Sequence, residues 1–270
     1  MAAHPRRDSG EGGMSDPLLD CAVRAALAAG EAILKVYAEP FEVRQKEDST
    51  PVTEADLAAE RVIVAMLREA FPDIPIVSEE TAPADGFAPP GPRFWVVDPL
   101  DGTKEFVARN GEFAVCIGLI ESGRPVLGVV HGPALGVTYA AHGAGTAIRT
   151  RDGGAPEAIS ARAAAADGLV VIHSRTNENS RRLAEYFQGR SILKRNSCGS
   201  ALKFGVLAAG EADLYPRFGT TMEWDTAAGQ AILEAAGGSV VSMSTGASMV
   251  YGKPDLKNEG FLAWGKNPAW

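Results

Sequence analysis

Apolar positions along this chain follow two periods. Leu19, Val23, Ala26, Gly30, Ile33, Leu34 and Tyr37 recur at helical spacing, with Ser15 and Pro17 as a start signal and Pro40 as a stop. A polar, extended stretch from Lys46 to Asp56 feeds a second helix with Leu57, Ile63, Met66, Leu67 and Ala70 on one face. The period then shortens. Ile74 to Val77 reads as a short strand, and Phe94, Trp95, Val96 and Val97 are apolar at successive positions, which predicts a strand buried on both faces. Phe113 to Ile120, Val126 to His131 and Val137 to Ala141 read as strands separated by glycine-containing turns, so an antiparallel meander is expected.

After the Ala-, Gly- and charge-rich stretch Arg149 to Asp167, read as a connection, the pattern alternates. Leu169 to Ile172 is a strand, Glu178 to Phe187 a helix, Ile192 to Leu193 a strand, and a helix runs from Ser200 through Ala209. Ala212 to Tyr215 is a strand, Ala227 to Ala236 a helix closed by Gly237 and Gly238, and Val240 to Met243 and Phe261 to Trp264 are strands. The expectation is α/β with mixed sheets: a disordered tail over 1–13, an N-terminal α+β lobe over 14–150 and a C-terminal α/β lobe over 151–270.

Charge appears abruptly where buried runs stop. Asp98 follows Val97, Pro99 cannot extend a ladder and is expected to turn the chain out, and Asp101 lies three residues after Asp98. Gly102 and Thr103 then offer amides suited to an anion. Two carboxylates so close repel unless a cation lies between them, and Mg²⁺ prefers oxygen ligands. A metal-phosphate corner is one reading; Asp-Pro and Asp-Gly as ordinary turn dipeptides are the other. Elsewhere local structure explains the charges as well as chemistry does. Thr53 with Asp56 fits a capping box, Glu79 and Glu80 fit a solvated loop, Ser200 and Asp225 fit helix caps, and Lys203 fits a surface charge.

Composition narrows the classes. The 270 residues, 46% hydrophobic and 22% charged, suit one large or two moderate globular domains. A net charge of −8 with no Lys/Arg run argues against a nucleic-acid polymer as partner. No apolar run approaches bilayer length and no signal-peptide core is present, so stable membrane insertion is not expected. Cys21, Cys116 and Cys198 lack zinc or redox spacing and read as reduced thiols of a cytoplasmic protein.

Pro51-Val-Thr-Glu-Ala-Asp56, Ser78-Glu79-Glu80, Asp98-Pro-Leu-Asp101-Gly-Thr103 and Trp224-Asp225-Thr-Ala-Ala-Gly229 stand in an order that resembles the lithium-sensitive, metal-dependent phosphatase family of inositol monophosphatases and 3′(2′),5′-bisphosphate nucleotidases. The resemblance covers nearly the whole chain from Ser15 onward and implies a layered α-β-α-β-α sandwich of the inositol monophosphatase/fructose bisphosphatase type. It further implies that Glu79, Asp98, the Leu100 carbonyl, Asp101 and Asp225 hold two or three Mg²⁺ ions, and that Thr103 backed by Asp56 orients the attacking water. Where inositol monophosphatases typically carry a glutamate, this chain has Arg217 in Tyr215-Pro-Arg217-Phe-Gly, and an arginine fork suits a second phosphate better than a polyol. That stretch, with Ser200-Ala-Leu-Lys203, looks like the CysQ-type nucleotidases. The implied reaction is removal of the 3′-phosphate of 3′-phosphoadenosine 5′-phosphate, in sulfur metabolism, with Gly102, Thr103, Ser200, Lys203, Arg217 and Arg175 as substrate contacts. The small bisphosphorylated nucleotide is the expected partner, a homodimer is allowed, and Lys46 and Asp48 receive no role.

Three rivals remain at this level. One is an inositol monophosphatase or another small sugar-phosphate phosphatase. A second is a haloacid-dehalogenase phosphatase, whose paired aspartates stand two residues apart whereas Asp98 and Asp101 stand three apart. The third is a non-catalytic phosphate-binding protein.

Overall fold

The computed structural model describes residues 16–45, 51–82, 91–175, 180–188 and 191–266. The stretch through Gly13, the expected cap Ser15, the expected helix start Glu178, and Lys46 and Asp48 lie outside them. Two helices open the described chain. α1 (Pro17–Tyr37) is capped by Asp16, whose Oδ1 accepts from the amides of Leu18 and Leu19 at 3.1 and 3.2 Å. A short antiparallel pair, β1 (Val43–Gln45) and β2 (Pro51–Thr53), leads into α2 (Glu54–Ala70), and Thr53 and Asp56 form the expected capping box.

A seven-stranded sheet follows in simple sequence order: β3 (Ile76–Ser78), β4 (Arg93–Asp101), β5 (Ala114–Glu121), β6 (Arg124–Gly132), β7 (Val137–His142), β8 (Ile148–Arg151) and β9 (Glu157–Ala158). The short helix α3 (Thr103–Val107) interrupts it after β4. The meander over β5 to β7 is as expected, with every neighbour antiparallel. β3 and β4 alone are parallel in this sheet. β8 and β9 were not expected. They lie in the segment read as a connection, whose composition hides two short strands.

β10 (Leu169–His173), α4 (Ser180–Tyr186), β11 (Ile192–Ser197), α5 (Leu202–Ala208), β12 (Leu214–Arg217), β13 (Thr221–Met222), α6 (Ala227–Ala235), β14 (Ser239–Ser242), β15 (Lys257–Asn258) and β16 (Phe261–Trp264) complete the chain. Five of these strands form a mixed sheet in the order β11-β10-β12-β16-β14, while β13 and β15 make a separate pair.

The layers follow from which face each side chain takes. Trp95 and Val97 of β4 bury with Ile33 and Ile63 under α1 and α2, while Phe94 and Val96 bury with Phe204, Ile232 and Phe261 between the two sheets. The other face of the five-stranded sheet covers Val171 and Leu214 with Phe187 and Tyr186, next to α4. The fold is therefore α/β, helices and sheets alternating α-β-α-β-α. At Gly128 of β6 a Cβ would lie 2.1 Å from the Ala228 carbonyl oxygen, so only glycine lets α6 settle this closely on the sheet. Among the described residues no helix is long and apolar enough to cross a membrane.

Two expected strand ends are wrong: β11 runs on from Leu193 to Ser197, and β4 runs past Asp98. β4 does not stop at Asp98; it runs through Pro99 to Asp101, with a register irregularity that sets Asp98 opposite Cys116 and Asp101 opposite Ala114. Pro99 is tolerated because it sits in that bulge and because β3 pairs only as far as Val97, leaving no ladder partner for the missing N–H.

Candidate active site

Parallel pairing of β3 with β4 sets Ser78 beside Val97, and the Glu79 amide donates to the Val97 carbonyl at 3.1 Å. Glu79 is thereby brought against Asp98, to which its side chain hydrogen-bonds. The bulge turns Asp101 toward the same end of the strand, and α6, seated on β5 and β6, brings Asp225 to it from the next layer. Asp225 is not a helix cap. Its Oδ2 accepts from the Met222 amide at 2.8 Å, and Thr226 occupies the capping position.

The carboxylates feel one another strongly. Burial first, and then the charges of Glu79, Asp101 and Asp225, push Asp98 well above the usual carboxylate range. Burial pushes Asp225 up to about 8, with Asp101 adding to it, and pushes Asp101 up to about 6 although Lys203 and the Ala201 amide oppose the rise. Among the described residues no three His, Cys, Asp or Glu side chains are drawn close enough to close a metal shell unaided. The four carboxylates share one field rather than a finished cage. Their carboxylate oxygens, with the Leu100 carbonyl at the bulge, fit a hard divalent cation.

Asp56 serves both readings open to it. Its Oδ2 accepts from the Thr53 amide and hydroxyl, each at 2.8 Å, which completes the cap of α2. Its Oδ1 accepts from Thr103 Oγ1 at 3.4 Å, across 47 positions of sequence. Thr103 Oγ1 also lies 3.4 Å from the Leu100 carbonyl. Gly102, in the left-handed region at φ 95°, makes the turn from β4 into α3 that sets Thr103 there.

A cavity of about 280 Å³ opens beside these groups, lined by Asp101, Asp225, Ser200, Lys203, Arg217 and Thr221 among others. Arg217 Nη1 donates to Ser174 Oγ at 3.5 Å, and its Nε is buried without a partner. Lys203 is 3% exposed and is no surface charge: Nζ donates to the carbonyls of Cys198, at 3.2 Å, and Ser200, and sits 5.0 Å from the Tyr215 ring centre. Ser200 lines the cavity but is not the cap of α5, a position Ala201 takes. Arg175 is exposed, stands outside the cavity lining and pairs with Glu112. Glu112 stands in no motif, and Ser174, beside Arg175, and Thr221, within the stretch Tyr215 to Asp225, received no role in the sequence reading.

The profile of the inositol monophosphatase family matches residues 14–267. The chain belongs to the inositol monophosphatase family. Family members similar to it include the 3′(2′),5′-bisphosphate nucleotidase CysQ of Salmonella typhimurium, 48% identical over 83% of this chain and 89% of that protein. The CysQ nucleotidase of Buchnera aphidicola is 41% identical over 91% and 93% respectively. Among solved structures of this family, CysQ from Bacteroides thetaiotaomicron superposes with a TM-score of 0.80 at 36% identity, covering 93% of this chain and 97% of that one. The Thermotoga maritima IMPase superposes at 0.76 with 28% identity over 92% of each chain.

Proposed function

We propose that this chain is a Mg²⁺-dependent 3′(2′),5′-bisphosphate nucleotidase that hydrolyses 3′-phosphoadenosine 5′-phosphate to AMP and phosphate. The observation that carries the substrate reading is Arg217, whose guanidinium lines the same cavity as Asp101 and Asp225 and keeps a buried, unpartnered Nε. A guanidinium there favours a second phosphate over a polyol hydroxyl. The names of the CysQ relatives point the same way.

In this reading residues 14–150 supply Glu79, Asp98, the Leu100 carbonyl and Asp101, residues 151–270 supply Asp225 and the selectors, and together they hold two or three Mg²⁺ ions. When bound, those ions compensate phosphoryl charge and supply Lewis-acid polarisation. Thr103 donates its proton to Asp56 Oδ1, which leaves its oxygen lone pairs free to accept from, and so aim, the attacking water. Asp56, held by the Thr53 amide and hydroxyl, keeps the threonine rotor fixed. Gly102 and Ser200 face the phosphoryl group and ribose, with Lys203 holding the Ser200 carbonyl and Arg217 reaching the 5′-phosphate. Water forms the new P–O bond as the bond to the 3′ oxygen breaks, and that oxygen takes its proton from solvent. The setting is the cytoplasm, where the nucleotide is a by-product of sulfur metabolism.

The test is phosphate release from a panel of 3′-phosphoadenosine 5′-phosphate, inositol 1-phosphate and fructose 1,6-bisphosphate, with Mg²⁺ and with or without Li⁺. The nucleotide should be hydrolysed much faster than inositol 1-phosphate, Li⁺ should inhibit, and Asp98→Asn should lower turnover by about 10²–10³-fold. Equal rates on the two substrates would remove Arg217 from its role.

A further inference from the structure

The turn Cys198–Ala201 joins the five-stranded sheet to α5 and is held from both sides. Gly199 N–H donates to Glu112 Oε2 at 2.7 Å, and Ala201 N–H donates to Asp101 Oδ2. Between those two anchored amides Ser200 stands at φ 49°, a left-handed conformation that a serine keeps only where its surroundings hold it. Lys203 Nζ grips the carbonyls on either side of Gly199. A Cβ at Gly199 would lie 2.6 Å from both the Glu112 carbonyl oxygen and Glu105 Cγ, so the turn is pressed against the β4–β5 connection.

Glu112 faces two ways. Its Oε2 also accepts from Arg175 Nε at 2.6 Å, and its Oε1 accepts from Arg175 Nη2, a two-pronged pair. Glu112 precedes β5 and Arg175 follows β10, so this pair ties the two sheets together at the edge of the cavity. Hydrogen bonding by Arg175 keeps Glu112 below the ordinary carboxylate range, and the acceptor stays ionised. Neither residue lines the cavity.

We infer that Glu112, steadied by Arg175, is a positioning residue: it fixes the Gly199–Ala201 turn against the Asp98–Thr103 corner and so sets where Ser200 meets the substrate. Arg175 then acts through Glu112 rather than by touching substrate. The kinetic consequence rests on the nucleotidase reading above, whereas the placement of the turn does not.

Amide hydrogen exchange at Gly199, Ser200 and Ala201, measured beside steady-state kinetics on 3′-phosphoadenosine 5′-phosphate with Mg²⁺, tests this in the full chain. In Glu112→Ala the Gly199 and Ala201 amides should exchange about tenfold faster or more, and KM should rise about tenfold with a smaller change in kcat. Glu112→Gln, which still accepts from Gly199 but loses the ion pair, should fall between. A merely structural role would lower Tm and scale kcat with the folded fraction, leaving KM and turn exchange alone; that result overturns the assignment. Should Glu112→Ala not fold, Glu112→Gln and Arg175→Met carry the same two readouts, and unchanged exchange in both overturns it equally. Faster exchange with no hydrolysis of the nucleotide in wild type would support the positioning role and sink the nucleotidase reading instead.

Discussion

The two walls of the cavity are built on opposite electrostatic terms. On one side, Asp101 and Asp225 line the cavity and, with Asp98 and Glu79 behind them, crowd into a corner where burial and neighbouring charge raise the cost of ionising Asp98, Asp101 and Asp225. On the opposite side, Lys203 is already engaged by two carbonyls and a ring face, while Arg217 reaches Ser174 and keeps a buried, unpartnered Nε. The first wall is uncomfortable until positive charge arrives, and the second holds a donor still without an acceptor. A site that binds metal and then a phosphate ester needs that asymmetry, because charge compensation must be absent on one side and selectivity preorganised on the other.

The comparison breaks most visibly at Asp98. Asp98→Asn removes the most buried member of the cluster and should lower kcat on the nucleotide by about 10²–10³-fold, read as phosphate release at saturating Mg²⁺. Thr103→Ala comes next. Loss of about 10²-fold in kcat with KM and Tm little changed would match an orienting hydroxyl, while a matching fall in Tm would make it structural. On the opposite wall, Arg217→Glu should reduce kcat/KM for the bisphosphorylated nucleotide about ten- to hundredfold and narrow its advantage over inositol 1-phosphate.

The smallest effect is also the most diagnostic of the crowding. Asp101 and Asp225 rise from 3.8 in the unfolded chain to about 6 and about 8 when folded. A carboxyl held higher in the folded state favours folding while protonated and opposes it once ionised. Metal-free protein should therefore be most stabilised by these groups near pH 4 and lose that stability progressively as pH rises, the Asp101 contribution levelling off above about 6 and that of Asp225 above about 8. A Tm series from pH 5 to 9, repeated in excess Mg²⁺, should show the slope without metal and a flatter curve with it.

Much of the first wall was legible in the primary structure because its pieces are local. The unbroken apolar run before Asp98 announced a doubly buried strand, and the Thr53–Asp56 spacing announced the capping box that forms. Convergence of Asp56, Glu79 and Asp225 on that strand came through family resemblance, since nothing in each local setting distinguishes it from a cap or loop residue. What stayed hidden depends on distant partners. Pro99 looked like a strand end because the missing β3 neighbour that tolerates it is invisible along the chain. β8 and β9 were lost in an Ala- and Gly-rich stretch that takes its strand character from β7. Glu112 meets Arg175 across 63 positions and Gly199 across 87, so no spacing advertises it. Lys203 looked like a solvated charge because the turn it closes only forms against the other sheet.

In the proposed function, four mutually repelling carboxylates together hold two or three divalent cations. Calorimetric titration of Mg²⁺ into metal-free protein at pH 7.5, with wild type beside Asp98→Asn, tests it most directly. Saturable binding with proton release is expected in wild type, and loss of at least one binding event in the variant. Identical titrations for the two proteins, or no binding heat in wild type at millimolar Mg²⁺, would contradict it.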